Sequence, residues 1–496
     1  MSLVIDFNNL PKQGLLKKPN MDSKNIKATV VQLLKTELGF VPTKDQGKAI
    51  SRLSDFILSP NDDAAFILKG YAGTGKTSLI GALVKSLSAL KRNVVLMAPT
   101  GRAAKVLGKH SNKTAYTIHK QIYYQNEKQG ALNFTKGKNN FRNTLFIIDE
   151  ASMVNSDSGL SSAFLDSASL LDDLIAYVYS GVNCRLIFIG DSAQLPPVGT
   201  IESPALNKKE LEKNYPLNFT ISELKEVVRQ EVDSGILANA TTIRKRITNN
   251  KLTFELDSSY SDSLAITGME LQDVLESTIG QYGIENVILI CRSNKRANIF
   301  NQEIRNRILW YEEQINPHDL LMVVKNNYHW IDKKSKAGFI ANGDILEVKQ
   351  ILRHEKIYGF DFVDAIVKFV DNESEPEFTC KLMLETLTVE SASLPRERLK
   401  TLFYEIEKDF YNISSRRKRQ DLIMKTPHFN ALQVKFSYAL TCHKAQGGQW
   451  PVAIIDQGYL IDEMLNIEYL RWLYTAITRG TEKVYFLNFN EQFLKG

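Results

Sequence analysis

Short, continuously apolar runs, each closed by a glycine or polar residue and followed by a stretch of helical periodicity, organise the first half of the chain. Residues 64–69 (AAFILK) lead into a glycine-rich loop, and residues 77–87 (TSLIGALVKSL) then have helical spacing. Residues 93–98 (NVVLMA) precede a helical GRAAKVLGK, while 144–149 (TLFIID) and 184–190 (CRLIFIG) are further buried runs. Apolar strands alternating with helices predict a parallel sheet covered on both faces. A second set begins near residue 284: ENVILIC (285–291) with an amphipathic NKRANIFNQEIRNRIL, then VAIID (452–456) and KVYFLNF (483–489) around the helical IEYLRWLYTAIT. Between them, residues 345–437 have another texture. DILEVKQI, DAIVKFV and FTCKLML predict short antiparallel strands, and residues 394–423 predict charged helices. No period of 20–50 residues repeats, which excludes a solenoid or propeller.

Composition narrows the class without deciding it. The chain has 496 residues, 43% hydrophobic and 24% charged, within the range of soluble globular proteins and large enough for about three domains. No run approaches the ~18 apolar residues of a membrane span, and the N-terminus lacks the layout of a secretory signal. Four widely spaced cysteines without a CxxC pair predict neither a disulfide framework nor a zinc site. A reducing, cytoplasmic setting and no membrane partner are therefore expected. The net charge of +6 permits a polyanionic partner without requiring one.

The segment from Gly70 to Thr77 (GYAGTGKT) fits G-x-x-x-x-G-K-[ST] between an expected strand and an expected helix. Gly70, Gly73 and Gly75 let backbone N–H groups surround phosphates at a helix N-terminus, with Thr77 and Ser78 opening the helix. Lys76 would reach the β- and γ-phosphates and Thr77 would ligate Mg²⁺. Asp149 ends a buried strand, where it could hold Mg²⁺ through its water shell, and Glu150 could orient and deprotonate the attacking water. An Asp-Glu pair is commonly solvated surface, but the four apolar residues before this one argue for an interior edge. ATP and Mg²⁺ are the cofactors expected.

Further motifs follow in order: DEAS (149–152), GDSAQLPPVG (190–199), EVVRQ (226–230), YALTCHKAQGGQW (438–450) and LYTAITRG (473–480). Together with the phosphate loop this set resembles superfamily 1B helicases, the RecD-like and Dda-like branch, over about residues 40–490. The resemblance implies an α/β fold class: two RecA-like P-loop NTPase lobes, a small pin insertion in the first, and an SH3-like β-rich insertion in the second. The implied division is an N-terminal tail at 1–20; a first lobe at 21–220 with its pin at about 120–142; a second lobe at 221–344 and 438–496; and the inserted subdomain with its helical extension at 345–437.

The resemblance also implies roles. Gln46, in TKDQ, would read the adenine edge. Gln194 would sense the γ-phosphate or attacking water, and Arg229 and Arg479 would be arginines that the second lobe contributes to the nucleotide. Pro99, Thr100 and His119 fall in segments that contact DNA in the first lobe; Thr441, His443, Lys444 and Gln446 fall in the second-lobe motif linking strand contact to the ATP site. Cys442 departs from the commoner valine there. Phe134 is either the wedge that stacks on the last base pair or a packing residue of the pin, with Tyr123 and Tyr124 as the pin's core. Arg416–Arg419 is either a solvated helix face or a contact for displaced strand.

The function expected is an ATP-dependent DNA helicase acting as a monomer on single-stranded DNA and on single/double-strand junctions, with 5′-to-3′ polarity implied by the resemblance. Repair or recombination would be its setting, and single-strand-binding or recombination proteins its partners. The alternative is a DNA-binding, non-motor subunit of a recombination or helicase–nuclease complex. Lys76, Glu150 and Arg479 argue against it, since a scaffold needs none of them.

Overall fold

The computed structural model describes residues 23–126, 133–155, 169–227, 234–331, 339–370 and 375–495. The expected N-terminal tail lies outside them. The chain divides into two units, one made mainly of residues up to Val232 and the other mainly of residues from Asp233 onward.

Two helices, α1 (Ser23–Leu38) and α2 (Lys44–Leu58), precede β1 (Ala64–Gly70) and α3 (Lys76–Ala89). There follow β2 (Asn93–Ala98), α4 (Gly101–Ser111), β3 (Ala115–Thr117), α5 (Ile118–Ile122), β4 (Tyr123–Asn126), β5 (Asn133–Lys136), β6 (Thr144–Ile148), α6 (Leu170–Tyr179), β7 (Arg185–Gly190), α7 (Lys208–Asn214) and β8 (Asn218–Leu224). Six strands form one sheet in the order β3-β2-β6-β7-β1-β8, and all their pairings are parallel. The apolar runs have residues for two faces. Phe66, Leu68, Leu96, Ile147 and Ile187 join a core with α1, α2 and α3. Their neighbours Ala65, Ile67, Met97, Phe146 and Phe188 join a second core with α6. Successive side chains of a strand point to opposite faces, so a strand buried on both reads as continuously apolar. Strand β8 was expected to be cut by the lobe boundary at 220/221. Its exposed and buried residues alternate, as suits an edge strand rather than a central run.

Arg185 fastens the sheet to α2. Its guanidinium, 2% exposed, donates to the carbonyls of Phe56, Ile57 (3.1 Å) and Ser59 (3.1 Å), satisfying carbonyls at the helix C-terminus. Strands β4 and β5 form a separate two-stranded sheet where the pin was expected. Its base is held by Asp173 of α6, which accepts from the Tyr123 hydroxyl (2.7 Å) and Lys136 Nζ (3.2 Å). The Tyr123 ring packs against the second core, so it is an anchor for the pin. The side chains of Tyr124 and Phe134 lie outside the described residues.

In the second unit, α8 (Gly235–Thr248), β9 (Leu256–Asp257), β10 (Ser263–Ile266), α9 (Leu271–Tyr282), β11 (Val287–Cys291) and α10 (Asn294–Glu303) come first. Next are β12 (Leu320–Val323), β13 (Ile345–Ile357), β14 (Phe360–Phe369), β15 (Phe378–Met383), α11 (Glu385–Thr388), α12 (Arg396–Glu407), α13 (Arg416–Ile423) and β16 (Leu432–Phe436). The chain closes with β17 (Ala439–Thr441), α14 (Cys442–Ala445), β18 (Trp450–Asp456), α15 (Ile467–Ile477), β19 (Gly480–Leu487) and β20 (Leu494–Lys495). A second parallel sheet runs β10-β19-β18-β11-β17, and β12 to β16 close into a small barrel. The fold class read from the motifs is the one observed.

The barrel starts earlier than the expected insertion at 345, because β12 at Leu320 pairs with both β13 and β16. Two register shifts along the 13-residue β13 supply the bend that closure needs. Ile304–Ile308 forms a π-helical turn after α10, and from it Arg305 turns inward. Its guanidinium (2% exposed) pairs with Asp319 (0%) at 2.9 and 3.0 Å, and Tyr438 donates to the same carboxylate at 2.9 Å. Leu402, Ile406 and Ile423 of α12 and α13 pack on Phe360 and Phe362 of the barrel. Arg416, Arg417 and Lys418 are exposed on α13, while Arg419 bonds Glu407 and the Ile413 carbonyl. No helix among the described residues is long and apolar enough to cross a membrane.

Candidate nucleotide and nucleic-acid sites

The phosphate loop spans the carboxyl end of β1 and the first residues of α3. Gly73 and Gly75 take positive φ angles (71° and 77°), which glycine adopts without the Cβ clash. Gly75 is the N-cap of α3, and Lys76, Thr77 and Ser78 begin the helix. Lys76 Nζ donates to the Tyr71 carbonyl at 2.9 Å, and Thr74 Oγ1 donates to the same oxygen at 2.7 Å. A backbone carbonyl thus holds the lysine over the loop, a role for Tyr71 that carries no side-chain signal in the sequence.

Gln46 is fully buried, and both ends of its amide are engaged within the first unit. Oε1 accepts from Thr43 N–H (3.0 Å) and the Thr43 hydroxyl accepts from Gln46 N–H (3.3 Å), a capping box on α2. Nε2 donates to the Thr74 carbonyl of the phosphate loop at 3.1 Å. The expected adenine reader therefore clamps the loop to a helix start. Thr-x-x-Gln before a helix was the available signal.

The sheet order β6-β7-β1 brings three carboxyl edges side by side, and Lys69 of β1 lies opposite Gly190 of β7. Gly70, Asp149 and Asp191 therefore begin loops on one edge, the usual position of ligands in open parallel sheets. Asp149 N–H donates to the Met97 carbonyl at 3.0 Å, and Asp149 Oδ1 accepts from Glu150 N–H at 2.9 Å. Burial and the adjacent Glu150 charge push the Asp149 carboxyl up to about 7, against the opposing pull of Lys76. Glu150 has a left-handed backbone (φ 49°), a conformation that costs a non-glycine residue about 1–3 kcal/mol. Gln194 is buried, in a turn where its N–H donates to the Asp191 carbonyl and Ala193 N–H donates to Asp191 Oδ1 (2.8 Å).

Among the described residues no group of three or more His, Cys, Asp or Glu side chains is placed to hold a metal ion. Mg²⁺ in phosphate sites needs fewer, because it keeps waters and takes ligands from the substrate. The crowding of negative charge that raises Asp149 is what a divalent cation would relieve, so Thr77 with Asp149 fits this ion.

Of the expected nucleic-acid residues, Pro99 and Thr100 follow β2 directly. His119 lies in α5, half-buried beside Tyr123 (ring centroids 5.7 Å apart), with burial pushing its imidazole down to about 4. A phosphate would meet it as a neutral ring. Phe134 is in β5. In the second unit, Thr441 N-caps α14, which carries His443 and Lys444. Lys444 Nζ donates to Asn342 Oδ1 at 2.9 Å, and burial brings its ammonium down to about 8. Gln446 is buried, its N–H bonded to the Cys442 carbonyl. Arg479 is 3% exposed and donates to the carbonyls of Gly448 (3.0 Å) and Thr475 (3.1 Å) and to Thr478 Oγ1 (3.1 Å). The structure thus joins Arg479 to the segment after α14. Arg229 lies outside the described residues.

Residues 44–260 match the model of an AAA domain, and residues 436–487 match that of the UvrD-like helicase C-terminal domain. An uncharacterised protein of Acanthamoeba polyphaga mimivirus is 23% identical over 90% of this chain and 99% of its own length. An ATP-dependent RecD2 DNA helicase of Deinococcus radiodurans is 32% identical over 27% of this chain and 16% of its own length. The chain thus spans nearly all of the first relative and a small part of the second. A Bacteroides Pif1 helicase solved with ADP-AlF3 and single-stranded DNA aligns over 92% of this chain and 95% of that one, at 15% identity and a TM-score of 0.45. A phosphate-loop unit followed by a helicase C-terminal domain is the class these findings define. The chain belongs to the superfamily 1B helicases of the RecD/Pif1 type, as its motifs implied.

Proposed function

We propose that this protein is an ATP-dependent DNA helicase that translocates on single-stranded DNA, 5′ to 3′, and unwinds duplex ahead of it. The observation that carries the reading is the shared carboxyl edge of β1, β6 and β7, where Lys76, Asp149, Glu150 and Gln194 begin adjacent loops. Backbone N–H groups of the loop and Lys76 bind the phosphates, Glu150 takes the proton of the attacking water, and Gln194 orients that water. Thr77 and Asp149 would hold Mg²⁺, which when bound neutralises charge on the transferring phosphoryl group. Arg229 and Arg479 would supply further charge, making affinity for ATP depend on domain state, the differential binding a motor requires. Four free, buried cysteines support a reducing, cytoplasmic setting.

Strand-displacement assays on duplexes with a 5′ or a 3′ single-stranded tail, with and without ATP, test activity and polarity together. Wild type should unwind the 5′-tailed substrate only, with ATPase strongly stimulated by single-stranded DNA. Lys76→Ala should lose turnover while retaining DNA binding. Full hydrolysis by that variant, or no stimulation of wild type by DNA, would sink the assignment.

A further inference from the structure

The carboxyl edge of the second parallel sheet carries a polar cavity that the proposed motor does not use. Sheet order places the end of β18 two strands from the end of β17, where Thr441 begins the candidate nucleic-acid segment. Neighbouring strands are ~4.8 Å apart, so the two ends are about 10 Å apart on one edge. The loop after β18 and the residues after β19 enclose a cavity of about 210 Å³, smaller than the pockets of drug-sized ligands.

Its wall contains a buried donor that is oriented and unsatisfied. Gln457, 4% exposed, has its backbone N–H bonded to the Leu487 carbonyl (3.2 Å) and its Oε1 bonded to Asn490 N–H (2.9 Å). The preceding Asp456 is clamped by Arg296 at 2.6 and 2.8 Å. With the amide oxygen fixed, Gln457 Nε2 is left with no hydrogen-bond partner, and the Tyr469 hydroxyl beside it has none either. Buried polar atoms in folded proteins are nearly always paired, so two orphans bordering one cavity indicate a missing occupant.

The rim identifies the chemistry of that occupant. Tyr459 projects there, 76% exposed, and its carbonyl accepts from Arg292 Nη1 at 3.2 Å. Phe493, stacked on Phe254 at 4.9 Å, supplies an apolar wall. Asp462 is the one charged lining residue, so the interior disfavours an anion, while Arg292 places a cation outside at the rim. A flat, uncharged, hydrogen-bonding ring attached to an external phosphate satisfies all of these features. We propose that the cavity takes a single unpaired nucleobase of the bound strand, stacked on Tyr459, with an acceptor toward Gln457 Nε2. The proposal rests on the strand-binding reading above.

Tailed duplexes, whose junction fixes the register, can be scanned with a single abasic position moved along the tail. Wild type should lose affinity roughly five- to hundredfold at one position, the range of one base–aromatic stack, and little elsewhere. Tyr459→Ala, an exposed change that spares the core, should bind more weakly and give a flat scan, while Tyr459→Phe should restore the dip. Tight binding with a flat scan in wild type, or an unchanged dip in Tyr459→Ala, overturns the cavity proposal alone. Failure of wild type to bind any tailed substrate overturns the strand-binding reading, and the cavity proposal with it.

Discussion

Replacing Gln46 separates two roles that its position allows. Gln46→Ala removes the capping-box contact with Thr43 and the hydrogen bond to the Thr74 carbonyl. Loss of a capping side chain costs about 1 kcal/mol. Leaving the buried loop carbonyl without its donor costs about 1–3 kcal/mol more. The variant should therefore lose roughly 2–4 kcal/mol of stability in denaturant unfolding. Because the bond ends on the phosphate loop, affinity for ATP and GTP should fall together, since the triphosphate seat is shared. Gln46→Glu sharpens the test: its carboxylate can still accept from Thr43 N–H but cannot donate to Thr74, so the cap survives and the loop bond does not. Adenine recognition makes the opposite prediction, a selective loss for ATP with stability intact. Base-selective weakening in Gln46→Ala without a change in unfolding midpoint would refute the clamp.

Two other predictions concern the second unit. Asp319→Ala strands the Arg305 guanidinium and the Tyr438 hydroxyl in the interior and should cost about 3–5 kcal/mol, whereas the double change Arg305→Met, Asp319→Leu should recover most of it; denaturant unfolding of both variants reads the difference, and a single variant as stable as wild type would contradict it. Glu355 accepts from Lys381 and His428, and these partners hold its carboxyl down at about 2, below its ordinary 4.5. That stabilisation is fully present above pH 4.5 and is lost as pH falls toward 2. Thermal melts from pH 6 to 3 should therefore show a shallower acid decline in Glu355→Gln than in wild type.

What was legible in the sequence follows from where the information sits. Strands β1, β2, β6, β7, β11 and β18 are buried on both faces, so their composition alone marks them. Strand β8 alternates, and β12 is four residues whose pairing with Phe436 more than a hundred positions away makes it part of a barrel; neither carries a local signature. The phosphate loop was readable because its backbone geometry demands glycine at fixed positions. Gln46 resembled a base reader because residue type does not say what an amide is already bonded to. The Gln457 cavity gave no signal at all, since it arises where the ends of two strands and their following loops meet.

Arg479 shows how a backbone partner can carry coupling that residue types conceal. Its Nη1 is bonded to the Gly448 carbonyl, and its own carbonyl accepts from Trp450 N–H at 2.9 Å, so both sides of the 448–450 turn are fixed by one residue. The same turn follows α14, the helix of His443 and Lys444, and Cys442 at its start packs close enough for the Arg479 charge to pull its thiol pKa down against burial. A ligand that draws the guanidinium away must leave the Gly448 carbonyl unpaired or let the turn move with it. The first course costs about 1–3 kcal/mol for a buried acceptor, which is also the usual size of a coupling free energy between two sites. Because linkage is reciprocal, a strand that shifts α14 must alter the affinity for that ligand by the same factor. One arginine on one turn is therefore sufficient to connect strand binding with nucleotide binding at the strength a motor of this class needs.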